Sequence, residues 1–258
     1  MEGSQLYPEK GGIHPRIAAE HHAEWIPKLI PKAIDAAGID YSDLDLISFS
    51  QGPGLGPALR IVATSARALA LSLKKPIIGV NHCIGHVEVG KLDTGAVNPV
   101  SLYVSGGNSQ IVLVKDHHTM EIIGQTIDDA VGEAFDKCSK MMGLGYPGGP
   151  IVDRLAKEGD PLKFKFNKPH IPGFDYSFSG IKTSLLYFVR DQMAIDPEFM
   201  EKNKADICAS FQKTLIDILM DKLIKAAKHT GIKQITIGGG VSANSGLRAR
   251  IEEEGRKR

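Results

Sequence analysis

Four glycine clusters set the tightest limit on how this chain can fold. GPGLGP at 52–57, SGGNS at 105–109, YPGGP at 146–150 and GGGVSAN at 238–244 each close or join segments of strand or helix character. Glycine permits positive φ and lets backbone N–H groups approach an anion or a neighbouring strand with no Cβ in the way. The segments around the clusters alternate between strand and helix. An α/β fold is therefore expected, with ligands at the glycine-rich strand ends. No cluster matches G-x-x-x-x-G-K-[ST], and none is a G-x-G-x-x-G that opens a helix after a strand. P-loop and Rossmann sites are disfavoured on that ground.

The periodicity predicts a helix over 18–37, broken or kinked by Pro27 and Pro31 and stopped at Gly38. Leu44–Ser50 and Ile77–Val80 read as strands, the second short and buried, with a helix over 58–73 between them. Val100–Val104 and Gln110–Val114 flank SGGNS as a hairpin. Helices follow over 129–144, 151–159, 181–193 and 204–229, the last capped by Gly231. Gln234–Ile237 is a buried strand running into GGGVSAN. A division into lobes at 1–105 and 106–258 is expected.

Composition excludes several classes. The chain has 258 residues, 42% of them hydrophobic, which is enough for a substantial core. Its formal net charge of +1 leaves a local basic groove open. Cys83, Cys138 and Cys208 are odd in number and form no C-x-x-C, which suits a reducing cytoplasm better than a disulfide scaffold. The stretch MEGSQLYPEKGG has no apolar signal core, and no run approaches the roughly 18 apolar residues of a membrane span.

The chemistry-bearing residues cluster near the same turns. In VNHCIGHVE, His82 and His86 lie four apart, the spacing that puts two imidazoles on one helical face within reach of a single metal. Cys83 stands where a zinc peptidase of the H-E-x-x-H type needs its glutamate base, which argues against proteolysis. Asp128, Asp129, Glu133 and Asp136 lie in TIDDAVGEAFDK, and Asp153 follows the YPGGP turn. Asp128 and Glu133 read as a solvated face, and Asp129 as a helix cap. Lys137 and Lys182 either meet a phosphate or sit in water. Arg60, Arg67, Lys74 and Lys75 form a candidate nucleic-acid patch, and a solvated helix face explains them equally well.

Taken in order, GPGLGPALR, VNHCIGH, LYVSGGNSQ, DDAVGEAFDK, GYPGGP, FSGIKT and GGGVSAN resemble the tRNA N6-adenosine threonylcarbamoyltransferase family, once described as O-sialoglycoprotein endopeptidases. The resemblance runs from Gly11 to Arg248. The front half is closer to the archaeal and eukaryotic branch, and the back half to the bacterial one. It implies an actin, Hsp70 and sugar-kinase fold: two RNase H-like lobes with a nucleotide in the cleft between them. It also implies one divalent metal per subunit, iron or zinc, held by His82 and His86 and acting as a Lewis acid. Tyr103, Val104, Ser105, Gly106 and Gly107 match the strand-turn at the phosphates. Asp136, Gly149 and Asp153 match the ribose contacts, and Asn244 the adenine contact. No residue stands out as a general base.

The implied reaction transfers a threonylcarbamoyl group from threonylcarbamoyl-AMP to N6 of adenosine 37 in ANN-decoding tRNA, with ATP or AMP as other bound nucleotides. The implied partners are a paralogue and a small ATPase, or a kinase-like subunit complex. Against the family pattern, the chain starts near the end of the third strand, at about SQLYPEKGG, and stops soon after Asn244. The opening G-I-E-T-S-type turn and the closing D-N-A-A-M-type segment are absent, and with the latter the third metal ligand. A non-catalytic nucleotide-binding subunit of the same complex is the alternative, and a metallopeptidase a remote one.

Overall fold

The computed structural model describes residues 13–116 and 118–257; the SQLYPEKGG segment lies outside them. The chain packs as two units, one up to Gly85 and the other from His86 onward. The division expected after residue 105 falls in the turn of a hairpin that belongs to the second unit's sheet.

The first unit is a helix pair on a two-stranded sheet. Helix α1 (Pro15–Ala37) is continuous through Pro27 and Pro31, contrary to the expected break. Both prolines are exposed, as is Ala23, so the carbonyls they leave unbonded open to water. Gly38 ends the helix in the left-handed region at φ 66°, its N–H donating to the Asp35 carbonyl and the Ile39 N–H to that of Ile34. Strand β1 (Ile47–Gly52), helix α2 (Gly56–Leu73) and strand β2 (Ile77–Asn81) make a parallel βαβ unit. Ile47, Ala66 and Ala70 form its small core. β2 is not the buried strand its composition suggests: Ile78 is 49% exposed, because a two-stranded sheet covers little of its own surface.

Helix α3 (His82–Thr94) follows at once and contains the boundary between the units. The second unit then builds strands β3 (Val100–Val104), β4 (Ser109–Val114) and β5 (Met120–Gln125). Helices α4 (Val131–Met141), α5 (Gly148–Ala156), α6 (Ser179–Ile195) and α7 (Phe199–Thr230) come next, then strand β6 (Ile235–Gly238) and helix α8 (Ser245–Lys257). The sheet order is β5-β4-β3-β6, antiparallel except for the β3–β6 pair. β5 and α8 lack a sequence signal that separates them from loop: β5 is short and mixed, and α8 is dominated by charge.

One core joins the sheet to α4–α7, with Tyr176, Phe178, Phe211, Ile181 and Leu215 fully enclosed. Glycines set how closely its pieces approach. A Cβ on Gly148 would lie 2.5 Å from Ser139 Cβ and 2.6 Å from the Phe135 carbonyl oxygen, and one on Gly132 would lie 2.6 Å from the Ser105 oxygen. α4 is thereby held against both α5 and the β3–β4 turn. Among the described residues, no helix is long and apolar enough to cross a membrane.

The adjacent glycines 148 and 149 separate packing from propensity. Gly148→Ala is expected to destabilise the chain by about 1–3 kcal/mol through overpacking. Gly149→Ala meets nothing within 4 Å and should be neutral or slightly stabilising. Urea unfolding midpoints of the two variants check this pair.

Candidate functional site

A cavity of about 340 Å³ opens in the second unit where four segments meet. α4 contributes Gly132, Phe135 and Asp136, and α5 contributes Gly149, Pro150, Asp153, Arg154 and Lys157. Those positions recur at intervals of three, four and five, one face of each helix. Gly106 from the β3–β4 turn and Gly240, Val241, Ala243 and Asn244 from the stretch after β6 complete the lining. Gly239 makes this junction at φ 92°, against the Val104 carbonyl, where a side chain would not fit.

The polar groups of the cavity are held by hydrogen bonds. Asp136 Oδ1 accepts the Gly148 N–H at 2.7 Å, joining α4 to the first turn of α5. Burial raises the Asp136 pKa above the usual aspartate range; the Gly148 and Gly149 amides oppose this, and the Glu133 charge adds to it. Asp153 Oδ1 accepts from Gln212 Nε2 at 3.0 Å and Ser245 Oγ at 2.9 Å, and Oδ2 from the Ser245 N–H at 3.1 Å. Asn244 caps α8: its Oδ1 accepts the Leu247 N–H at 2.9 Å, the N3 position of that helix.

Gly106, Asp136, Gly149, Asp153 and Asn244, singled out in the sequence, thus line one cavity. The rest of the strand-turn set plays other parts. Val104 is in the hydrophobic core. Ser105 Oγ accepts the Asn108 N–H at 3.0 Å and shapes the turn that Gly107 completes. Tyr103 is buried and stacks on His86, with ring centroids 5.5 Å apart and planes at 27°.

α3 starts at His82, capped by the Asn81 side chain, which accepts the Cys83 and Ile84 N–H groups at 2.9 and 3.2 Å. His86 follows one turn later. Gly238 lies against the His86 carbonyl, and a Cβ on Gly90 would sit 3.3 Å from the Ile237 oxygen, so α3 rides close on β6. Imidazole nitrogens suit iron and zinc. Among the described residues, no group of three His, Cys, Asp or Glu side chains is arranged to hold a metal.

Other acidic candidates resolve into structure. Asp128 accepts from the Ser177 and Ser179 hydroxyls and the Phe178 and Ser179 amides at the start of α6. Burial acts to raise its pKa, and these bonds outweigh it and hold the carboxyl below its ordinary range. It is a cap rather than a solvated face. Asp129 is not the cap of α4; it pairs with Lys137 at 2.8 Å and Lys182 at 3.5 Å. Glu133 pairs with Lys137. Sequence reasoning passed over Arg154, Lys157 and Gln212. Arg154 lies four positions past Pro150 and Lys157 four past Asp153, a signal the helical period carries. Gln212 carries none.

A family model described as tRNA N6-adenosine threonylcarbamoyltransferase matches residues 2–257. A probable bifunctional tRNA threonylcarbamoyladenosine biosynthesis protein of Methanobrevibacter smithii is 57% identical over the whole chain, which spans 46% of that relative's length. A tRNA N6-adenosine threonylcarbamoyltransferase of Porphyromonas gingivalis is 52% identical, again over the whole chain, which spans 77% of it. Among solved structures, full-length HypF in a phosphate- and nucleotide-bound form superposes on 90% of the chain at a TM-score of 0.62 and 14% identity, covering 45% of HypF. That likeness shows a shared fold. The chain belongs to the tRNA N6-adenosine threonylcarbamoyltransferase family.

Asp136 makes stability depend on pH in a definite direction. A carboxyl whose folded pKa is raised stabilises the protein below its unfolded pKa of about 3.9 and loses that contribution as pH rises through the folded value. Asp136→Asn removes the titration. Wild type should therefore lose stability relative to the variant as pH climbs from about 4 towards neutrality. Urea unfolding of both proteins across that range reads the difference; a difference independent of pH would contradict it.

Proposed function

We propose that this chain binds an adenylate in the cavity of its second unit and carries the threonylcarbamoyl transfer that forms t6A at adenosine 37 of ANN-decoding tRNA. The observation that carries this reading is the convergence of Gly106, Asp136, Gly149, Asp153 and Asn244 on one cavity, from segments spread over more than half of the chain. A volume of about 340 Å³ suits a compact small molecule, and the donor set fits a nucleotide. Carboxylates at Asp136 and Asp153 accept from ribose hydroxyls, the Asn244 amide meets a base, and backbone amides at the Gly106 turn meet phosphate oxygens.

In the transfer, the N6 amine attacks the carbamoyl carbon of threonylcarbamoyl-AMP. The bond from that carbon to the phosphate oxygen breaks, AMP leaves with the electron pair, and the amine proton passes to solvent or phosphate. AMP is a good leaving group, so the protein's main tasks are to position the mixed anhydride and exclude water. The cavity's helix-mounted groups do the first. His82 and His86 would provide two ligands for iron or zinc, which when bound supplies Lewis-acid stabilisation of the carbamoyl oxygen. The reading also places the chain beside tRNA and the partner proteins of t6A synthesis.

The alternative reading is a nucleotide-binding subunit of the same complex that does not itself transfer. Titration calorimetry with AMP, followed by mass spectrometry of t6A in tRNA incubated with the chain, partner proteins and threonylcarbamoyl-AMP, separates the two. Saturable AMP binding with t6A formation supports the transferase; binding with no t6A leaves the subunit reading; no binding removes both. Asp136→Ala should weaken AMP by roughly 10- to 100-fold, as expected for a lost hydrogen bond to a charged group. His82→Ala and His86→Ala should each lower zinc or iron uptake while leaving AMP affinity in place.

A further inference from the structure

Behind the cavity, Gln212 of α7 joins two of its walls. Its Nε2 donates to Asp153 Oδ1 at 3.0 Å, and its Oε1 accepts from Asn244 Nδ2 at 2.8 Å. Gln212 is 7% exposed and Asn244 8%. Chemistry at the two ends fixes the direction of this relay. The Leu247 N–H can only donate, so the Asn244 atom facing it is the carbonyl oxygen, and the amide nitrogen points to Gln212. The Asp153 carboxylate only accepts, so the Gln212 nitrogen faces it. A ladder thus runs from the α8 amide through Asn244 and Gln212 to α5. Space for it is kept by Gly246, where a Cβ would lie 2.9 Å from Gln212 Nε2.

We infer that Gln212 is a positioning residue for the nucleotide, locking Asp153 and Asn244 into one hydrogen-bonded frame so that the two sides of the cavity meet the ligand as a unit. With Oδ1 and one amide hydrogen committed, the Asn244 side chain keeps a single N–H for a ligand, and that N–H requires an acceptor such as a purine ring nitrogen. Gln212 itself does not line the cavity. The inference rests on the adenylate reading above and adds the part that holds the site in register.

Two substitutions test it, with AMP affinity measured by calorimetry on the full chain from about pH 5.5 to about pH 8. Gln212→Leu keeps the volume and removes both bonds; its AMP Kd should rise about tenfold at every pH, the loss of one well-placed hydrogen bond. Gln212→Glu can reproduce the ladder only when protonated, its O–H donating to Asp153 and its carbonyl accepting from Asn244. Ionised, it faces Asp153, and two carboxylates that close cannot share the site. The ratio of its Kd to that of wild type should be near one in acid and rise about tenfold or more by pH 8. Ratios within about twofold of one for both variants at all pH, or a Gln212→Glu penalty that does not vary with pH, overturn the inference. Wild-type protein with no AMP affinity overturns the adenylate reading and the inference with it.

Discussion

The hydrogen bond from the Gly148 N–H to the Asp136 carboxylate, 2.7 Å long, is the contact on which the second unit's architecture turns. It forms because Gly148 has no Cβ: Ser139, Phe135 and Asp136 occupy the space a side chain would need. The same close approach brings the faces of α4 and α5 together, and those faces are two walls of the cavity. Packing and site are therefore one feature. A larger residue at 148 would move Asp136 and Asp153 apart, and the cavity would lose its shape before it lost its chemistry.

The two units differ in how they are held. The second has a continuous core around Tyr176, Phe178 and Phe211, with its long helix α7 enclosed over much of its length. The first relies on the α1–α2 pair and a core of Ile47, Ala66 and Ala70, and leaves Ile77, Ile78 and Val80 substantially exposed. Apolar burial is the dominant favourable term in folding, so most of the described chain's stability resides in the second unit, with the cavity.

Much of this was legible in the sequence, for physical reasons that also explain the gaps. Glycine clusters marked the turns because the backbone conformations and close approaches there admit little else. The helices around 58–73 and 204–229 were visible from their apolar period. Pro27 and Pro31 misled, because the cost of an interior proline depends on whether the freed carbonyl can reach water. β2 misled because an apolar run reports what a strand could bury and says nothing of what covers it. At the site, nearness to glycine turns marked Asp128, Asp129, Glu133, Asp136 and Asp153 alike, and the family resemblance singled out Asp136 and Asp153. Asp128 and Asp129 look the same in sequence and became a cap and an ion-pair hub. Gln212 was silent, since a lone glutamine in an amphipathic helix gains meaning only when the fold puts Asp153 and Asn244 on either side of it.

Helix α7 gives the site a further property. It runs 32 residues, and nearly every residue from Ile207 to Leu223 is buried or half-buried in the core. Gln212 sits within that stretch. Buried helices of this kind exchange their amide hydrogens only when the whole core opens, unlike frayed ends and surface loops. The support behind Asp153 and Asn244 is thus mounted on the slowest-opening part of the second unit. Asp153 and Asn244 therefore keep their frame through local fluctuations that stop short of opening the core.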